Sequence, residues 1–211
     1  MGLLWVAWRG QRAQFAAIAA LVLLYGAAAL AERMEPELTG LTGQLAGFLP
    51  GAVCLVWGAP LIARELETGT FKLAWAQSVT RGRWLAAVLG CAAVGALAAT
   101  GTLGALLAWV LPDAGRDPMA WPYYESHGIV PFARVVFALA LGAALGAVTG
   151  HSRVAMPLAV LLVGVSQLAG RAMRGQFHLS YWPMQSAEAA AYVGITVLLT
   201  GIAYLAIRRR A

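Results

Sequence analysis

The residues best able to bind a metal ion are three histidines and two cysteines, and their spacing argues against such a site. His127, His151 and His178 lie far apart in the sequence and show no ligand spacing. Cys54 and Cys91 lie inside apolar segments without metal-ligating neighbours. Structural metal sites and disulfide frameworks both depend on recurring Cys or His spacings. We therefore predict that the chain binds no metal and has no disulfide framework.

Ser166, paired with His151 or His178, has the chemistry of the nucleophile and base of an intramembrane hydrolase. The sequence around it, GVSQL at residues 164–168, lacks the second glycine of a nucleophile elbow. The chain also contains no H-E-x-x-H sequence of a zinc protease. We therefore predict no catalytic residues in this chain.

An acidic pair, Glu65 and Glu67, opens the polar segment RELETGTFKLAWAQSVTRGRW at residues 64–84. Gly69 is suited to end a helix after the pair. Phe71 and Trp75 follow, four residues apart, so they would lie on one face of a short helix. Two interpretations remain open for this segment: an interfacial helix lying on lipid, or a docking helix for a cytoplasmic partner.

The elements that must position these residues are membrane-spanning helices. The chain is 61% hydrophobic and 11% charged, whereas soluble domains carry about 25% charged residues. A span needs about 20 mainly apolar residues. We predict an all-α polytopic membrane protein, a single domain over 1–211, with Pro50 and Pro60 kinking the second span. The predicted spans are 13–31, 38–63, 84–111, 129–150, 154–170 and 189–207.

The basic residues predict the orientation of these spans. With both termini inside, ten of the 15 basic residues lie in inner segments, and excess positive charge marks the cytoplasmic side. We predict a multi-pass protein of the plasma membrane with both termini in the cytoplasm, and no nucleic-acid binding, since the charges form no basic face. Lys72 is the only lysine, and this arginine-rich, Gly- and Ala-rich composition favours a bacterial source.

The segment after the second span resembles the first cytoplasmic loop of ABC type-2 transporter permeases. That loop runs approximately R-E-x-E-x-G-T, a short helix, and then a Ser-Val-[ST]-R turn. The matching residues here are Arg64, Glu65, Glu67, Gly69, Thr70, Ser78, Val79, Thr80 and Arg81. Three further segments resemble the same family: Trp5–Gln14, which is similar to its N-terminal interfacial helix, Gly128–Val148 and Trp182–Gln185.

The resemblance implies a subunit arrangement and a set of coupling residues. It implies a cytoplasmic coupling helix between spans 2 and 3, and short re-entrant or interfacial helices between spans 5 and 6. It also implies two ATPase subunits and a second permease copy or homologue as partners, with ATP and Mg held by the ATPases. No G-x-x-x-x-G-K-[ST] loop occurs in this chain, so we expect no enzyme activity and no cofactor here. The ATPase-coupling residues expected from the resemblance and the segment are Arg64, Glu65, Glu67, Gly69, Thr70, Phe71, Trp75 and Arg81.

Other residues inside the spans have two interpretations each. Gly142, Gly146 and Gly150 form a small-xxx-small stripe that packs helices closely, within the chain or between two permeases. Arg134, the one charge inside a predicted span, either reaches the lipid interface or contacts substrate or a gate. Apolar and aromatic residues of the second and fifth spans would bind substrate. With Arg134, the pathway candidates are Phe48, Trp57, Met156 and Gln167.

The sequence thus predicts the permease half of an ABC exporter for a hydrophobic or amphipathic compound, such as an antibiotic, peptide or lipid. Two alternatives are weighed against it. An ion-coupled secondary transporter usually places acids or histidines at the bilayer midplane, and no predicted span contains one. A non-transporting membrane scaffold or immunity protein needs no coupling loop.

Overall fold

The computed structural model describes residues 3–35, 45, 47–69, 80–110, 117–119, 123–177 and 179–209, and this part of the chain is helical without strands. The N-terminal helix Leu3–Gly10 precedes the first span, Arg12–Met34. The third span is Arg81–Val110, and a short helix, Tyr123–Ser126, precedes the fourth span, Val130–Thr149. The fifth span is Ser152–Gln176 and the sixth is Tyr181–Arg209. With the second span, described next, the described residues contain six helices long and apolar enough to cross a membrane, as predicted.

The second span, Leu49–Thr68, changes helical geometry near its middle. Two α-helical parts, Leu49–Val53 and Ala59–Thr68, flank a π-helical turn at Cys54–Gly58. Pro60 lies two residues after this turn, and proline has no N–H to donate to the carbonyl four residues earlier. The missing hydrogen bond explains a local departure from α geometry at this point. The span ends at Gly69, whose φ of 70° is the left-handed conformation that glycine adopts at helix ends.

Two of the observed helices are longer than the spans predicted within them. The fifth span continues to Gln176, beyond the predicted end at 170, and the sixth begins at Tyr181 rather than at 189. Separate short helices between these spans were therefore a wrong prediction, because residues 177–180 are all that separate the two long helices. The predicted first part of the second span, residues 38–44, lies outside the described residues.

The fourth span forms the centre of the bundle, and the second packs directly against it. Each has most of its residues buried, whereas the first, third, fifth and sixth spans are largely exposed. Gly142 and Gly146 lie against the backbone of the second span: a Cβ atom on Gly142 would lie 2.5 Å from the Ala59 nitrogen. Gly150 has another role, since its φ of 70° ends the fourth span.

The helices alternate in direction, so the bundle has two distinct ends. At one end, which we call the terminal end, Arg81 Nη1 donates a hydrogen bond to the carbonyl of Arg208 at 3.1 Å. The N-terminal helix also lies here, packed on the third span through a hydrogen bond from Gln11 Nε2 to the Val88 carbonyl. At the opposite end, Arg33 Nη1 donates to the Trp109 carbonyl and joins the first and third spans.

Replacing Gly142 with alanine tests the close contact between the second and fourth spans. The new methyl group would overlap backbone atoms of Gly58 and Ala59, so we expect a stability loss of about 1–3 kcal/mol, as for other overpacked cores. The measurement is the thermal unfolding midpoint in detergent. The matched control is Gly194→Ala on the sixth span, where a Cβ meets nothing within 4 Å. Equal midpoints for the two variants would contradict the packing described here.

Candidate functional site

The predicted coupling segment is described at its two flanks. Arg64, Glu65, Glu67 and Gly69 lie on the last turns and cap of the second span, and Arg81 begins the third. Thr70, Phe71 and Trp75 lie outside the described residues. The short helix between the flanks therefore stays a prediction.

Glu67 connects the second span to the start of the fifth. Its Oε1 atom accepts a hydrogen bond of 2.7 Å from the Ser152 backbone N–H, and both carboxylate oxygens lie 3.0 Å from Ser152 Oγ. The first backbone N–H groups of a helix lack partners within the helix and carry partial positive charge. Glu67 therefore acts as a cap on the fifth span, supplied by a residue 85 positions away.

Arg64 and Glu65 lie on another side of the same helix end. They line a cavity of about 230 Å³ together with Gln11 and Gln14, close to the N-terminal helix, and with Trp84 of the third span. Around this cavity, the end of the second span lies next to residues of two segments that resemble permease sequences. Arg81 is half-buried and holds the end of the sixth span through its bond to Arg208.

In the described part of the chain, the predicted pathway residues make separate contacts. Phe48 is 72% exposed and lines an apolar cavity of about 240 Å³ beside the first span. Trp57 is fully buried, with its ring edge-on to Phe15 at 4.7 Å between centroids. Met156 packs into a separate apolar cluster, and Gln167 Nε2 donates to the Gly47 carbonyl at 3.1 Å. These contacts hold the spans together, and a pathway along them stays a prediction.

Arg134 does not reach the lipid interface, so that interpretation was wrong. Its side chain is 3% exposed and forms ion pairs with Glu125 and Glu188. Two arginines of the fifth span complete what we call the charge cluster: Arg171 and Arg174. The five residues come from the short helix Tyr123–Ser126 and from the fourth, fifth and sixth spans, at the opposite end of the bundle.

Every carboxylate oxygen of the charge cluster accepts from an arginine. Arg171 binds Glu125 through two atoms, Nε at 2.7 Å and Nη2 at 2.9 Å. Arg174 bridges the two acids, with Nη2 at 2.8 Å from Glu125 Oε1 and Nη1 at 2.8 Å from Glu188 Oε2. Arg134 bridges the same two acids from the fourth span. The paired charges therefore fix three spans and one short helix relative to each other.

The environment of Glu125 keeps it ionised although its side chain is 1% exposed. Burial alone raises the pKa of a carboxyl group. The hydrogen bond from Arg171 and the charges of Arg134, Arg171 and Arg174 outweigh burial and hold the pKa of Glu125 below its ordinary value. Glu125 therefore acts as a permanent anion at neutral pH.

Gln185 is also fully buried at this end, and its amide group has all its partners. Its Oε1 accepts from the backbone N–H groups of Ile129 and Val130, at 3.1 and 2.9 Å. Its Nε2 donates to the carbonyls of Tyr124 and His127. The side chain thus caps the fourth span from the sixth.

Gly128 allows this contact because its φ is 81°, and a Cβ there would lie 2.7 Å from Gln185 Oε1. The segments Gly128–Val148 and Trp182–Gln185, which both resemble permease sequences, therefore meet at one place. Sequence reasoning named Arg134 and the segment Trp182–Gln185, but it missed the pairing of the charge cluster and the capping role of Gln185. The available signal was the mixture of acids and arginines outside the predicted inner segments of a chain with few charges.

Glu125→Gln tests the charge cluster, because it removes one anion from the centre of three arginines. Breaking a buried ion pair by removing one partner costs about 3–5 kcal/mol, so we expect a large fall in the unfolding midpoint at pH 7. The matched control is Glu35→Gln at the exposed end of the first span, which we expect to change the midpoint little. The outcome that contradicts the cluster is a similar, small effect for both variants.

The same variant has a predicted pH dependence. When folding lowers the pKa of a carboxyl group, the group contributes its full stabilisation at any pH above the pKa that it has in the unfolded protein, which is about 4.3 for Glu. That stability is lost as pH falls through the folded pKa. We therefore expect the difference in midpoint between wild type and Glu125→Gln to shrink below about pH 4, as measured by thermal unfolding over a pH series.

Comparison with known families shows which family the chain belongs to. The profile of the family described as ABC-2 membrane transporter related matches residues 13–174, which covers five of the six spans. No curated protein and no solved structure matches the chain at a significant level. The matched region contains both flanks of the coupling segment, the Glu67–Ser152 contact and four residues of the charge cluster. Membership in the family with this description indicates a multi-pass permease subunit of an ABC transporter. The chain therefore belongs to the ABC-2 membrane transporter related family.

Proposed function

We propose that this chain is the permease half of an ABC exporter, that its terminal end faces the cytoplasm, and that an ATPase subunit docks there. The observation that carries the proposal is the arrangement at this end: the N-terminal helix, the last turn of the second span and the start of the third enclose one cavity beside Arg64 and Glu65. The segment 70–79, which resembles a coupling helix, leaves the second span at this place.

The proposed mechanism uses Glu67 as a connection within the chain. ATP binding on the partner subunits moves the coupling segment, and with it the end of the second span at Gly69. Because Glu67 binds the first turn of the fifth span, that movement is passed to a second helix. The charge cluster resists displacement at the opposite end, so the spans tilt about it.

A complete transporter in this proposal contains two permeases and two ATPases, because among the described residues the predicted pathway residues of one half make separate contacts. The transported compound is hydrophobic or amphipathic, in keeping with the apolar lining of the cavity beside Phe48. The carboxylates of the charge cluster do not favour an ion-coupled transporter, since arginines already occupy all four oxygens.

The docking proposal predicts the effects of Glu65→Ala and Trp75→Ala. Truncating a charge that is paired and buried at an interface costs about 2–5 kcal/mol, a loss of tens-fold or more in association, and aromatic residues dominate such interfaces. We expect both variants to insert and fold normally but to lose association with the ATPase subunit. The measurement is co-purification together with transport-stimulated ATP hydrolysis.

The control for this experiment is Glu35→Ala, the same change at the opposite end of the bundle, which should keep full association. Retention of ATPase binding and transport by both Glu65→Ala and Trp75→Ala would place the ATPase elsewhere. The segment would then be an interfacial helix lying on lipid.

Orientation is tested by labelling single cysteines in a variant that lacks Cys54 and Cys91. Thr68 and Gln176 are exposed and lie at opposite ends of the bundle. A cysteine replacing Thr68 should react with a membrane-impermeant thiol reagent only in inverted vesicles. One replacing Gln176 should react only from outside the cell, and reversed labelling would overturn the proposed orientation.

A further inference from the structure

An apolar groove of about 480 Å³ lies on the surface of the bundle between the third, fourth and sixth spans. Leu85 and Leu89 of the third span form one wall, and Leu139 of the fourth forms the floor. Thr200 and Tyr204 of the sixth span form the other wall. This groove begins next to Arg81, on a side of the third span different from the cavity beside Arg64 and Glu65, and it shares no lining residue with that cavity or with the cavity beside Phe48.

The length of the groove corresponds to one leaflet of a bilayer. Along the third span it extends from Gly82, at the terminal end, to Ala93. At 1.5 Å per residue this distance is about 16 Å, roughly half of the hydrocarbon thickness of about 30 Å. Gly82 lies just before the predicted third span, 84–111, so we place the start of the groove at the membrane surface and its end near the middle of the bilayer.

The lining of the groove suits an unbranched hydrocarbon chain. The hydroxyl groups of Thr196 and Thr200 donate to carbonyls of their own helix, both at 2.8 Å, so they offer no donor to a ligand. Gly90 and Gly201 keep the groove wide, since a Cβ atom on either would meet nothing within 4 Å. An acyl chain placed here removes apolar side chains from contact with mobile lipid without requiring a polar partner.

Two arginines follow lining residues of the groove at its terminal end. Arg83 follows Gly82, and Arg208 lies four residues after Tyr204, on the same face of the sixth span. Both side chains are exposed. The hydrogen bond from Arg81 to the Arg208 carbonyl holds the two helix ends together. Guanidinium groups bind phosphate oxygens in a paired geometry, and basic pockets between spans bind anionic headgroups.

We propose that this groove binds one anionic phospholipid, with an acyl chain along the groove and the headgroup phosphate between Arg83 and Arg208. Charge complementarity at the mouth and the one-leaflet length of the groove identify this occupant. The site does not depend on ATPase docking or on transport.

Native mass spectrometry of the purified full chain tests the proposal, with phosphatidylglycerol and phosphatidylcholine of identical acyl chains as probes. We expect wild type to retain phosphatidylglycerol preferentially. Arg83→Gln combined with Arg208→Gln should weaken phosphatidylglycerol binding about thirtyfold, the effect of two lost cations at a membrane surface, and should leave phosphatidylcholine binding unchanged.

Filling the groove tests the place of the acyl chain. Gly90→Leu with Gly201→Leu should abolish retention of either lipid, whereas Gly194→Leu, an equally open glycine of the sixth span outside the groove, should keep it. Unchanged unfolding midpoints verify that the variants fold. Equal retention of the two lipids by wild type overturns the proposal, as does full retention by the filled variant. Loss of self-association instead of lipid upon filling would assign the groove to a second copy of the chain, and this result also overturns the proposal.

Discussion

The arrangement of the spans depends on two carboxylates shared by three arginines at one end of the bundle. Unpaired charge is costly near hydrocarbon, and a buried ion is tolerated only when its remaining hydrogen-bonding groups are satisfied. Glu125 and Glu188 meet this condition only if the fourth, fifth and sixth spans come together. The pairing therefore selects one arrangement of helices that hydrophobicity alone would leave undetermined, because lipid and apolar side chains attract a helix about equally.

Close backbone contact determines the rest of the packing. Gly58, Gly142 and Gly146 bring the second and fourth spans nearer than any side chain would allow, and the π-helical turn at Cys54–Gly58 lies at this contact. Glu67 then joins the far end of the second span to the fifth. The second span is thus held in its middle by packing and at the terminal end by one exposed carboxylate, which suits a helix that has to transmit movement from that end.

The sequence predicted the six spans because each needs a long apolar run, and that signal is local. It also predicted that Gly69 ends a helix, since the glycine follows a polar helix end. The helices that contain the fifth and sixth spans are longer than the predicted spans because both continue into polar residues. Arg171, Arg174 and Glu188 look like loop residues in one sequence, but pairing within the bundle lets them remain helical.

Arg134 shows why the site was only partly predictable. Its partner Glu188 lies 54 positions away and its partner Glu125 is on a short helix, so no spacing in a single sequence connects them. The residues that Gln185 and Glu67 contact also lie far from them along the chain. The residue types and the signs of their charges limited which residues could belong to the site. Which of these residues contact each other was visible only in the folded chain.

The most direct test of this account is a double-mutant cycle on Arg134 and Glu188, using Arg134→Leu, Glu188→Leu and the combined variant, with the free energy of unfolding measured in detergent. The account predicts strong non-additivity: each single change leaves a buried charge with fewer partners, and the second change relieves much of that cost, giving a coupling energy of about 0.5–3 kcal/mol. Additive effects within about 0.5 kcal/mol would contradict the claim that this ion pair holds the fourth and sixth spans together.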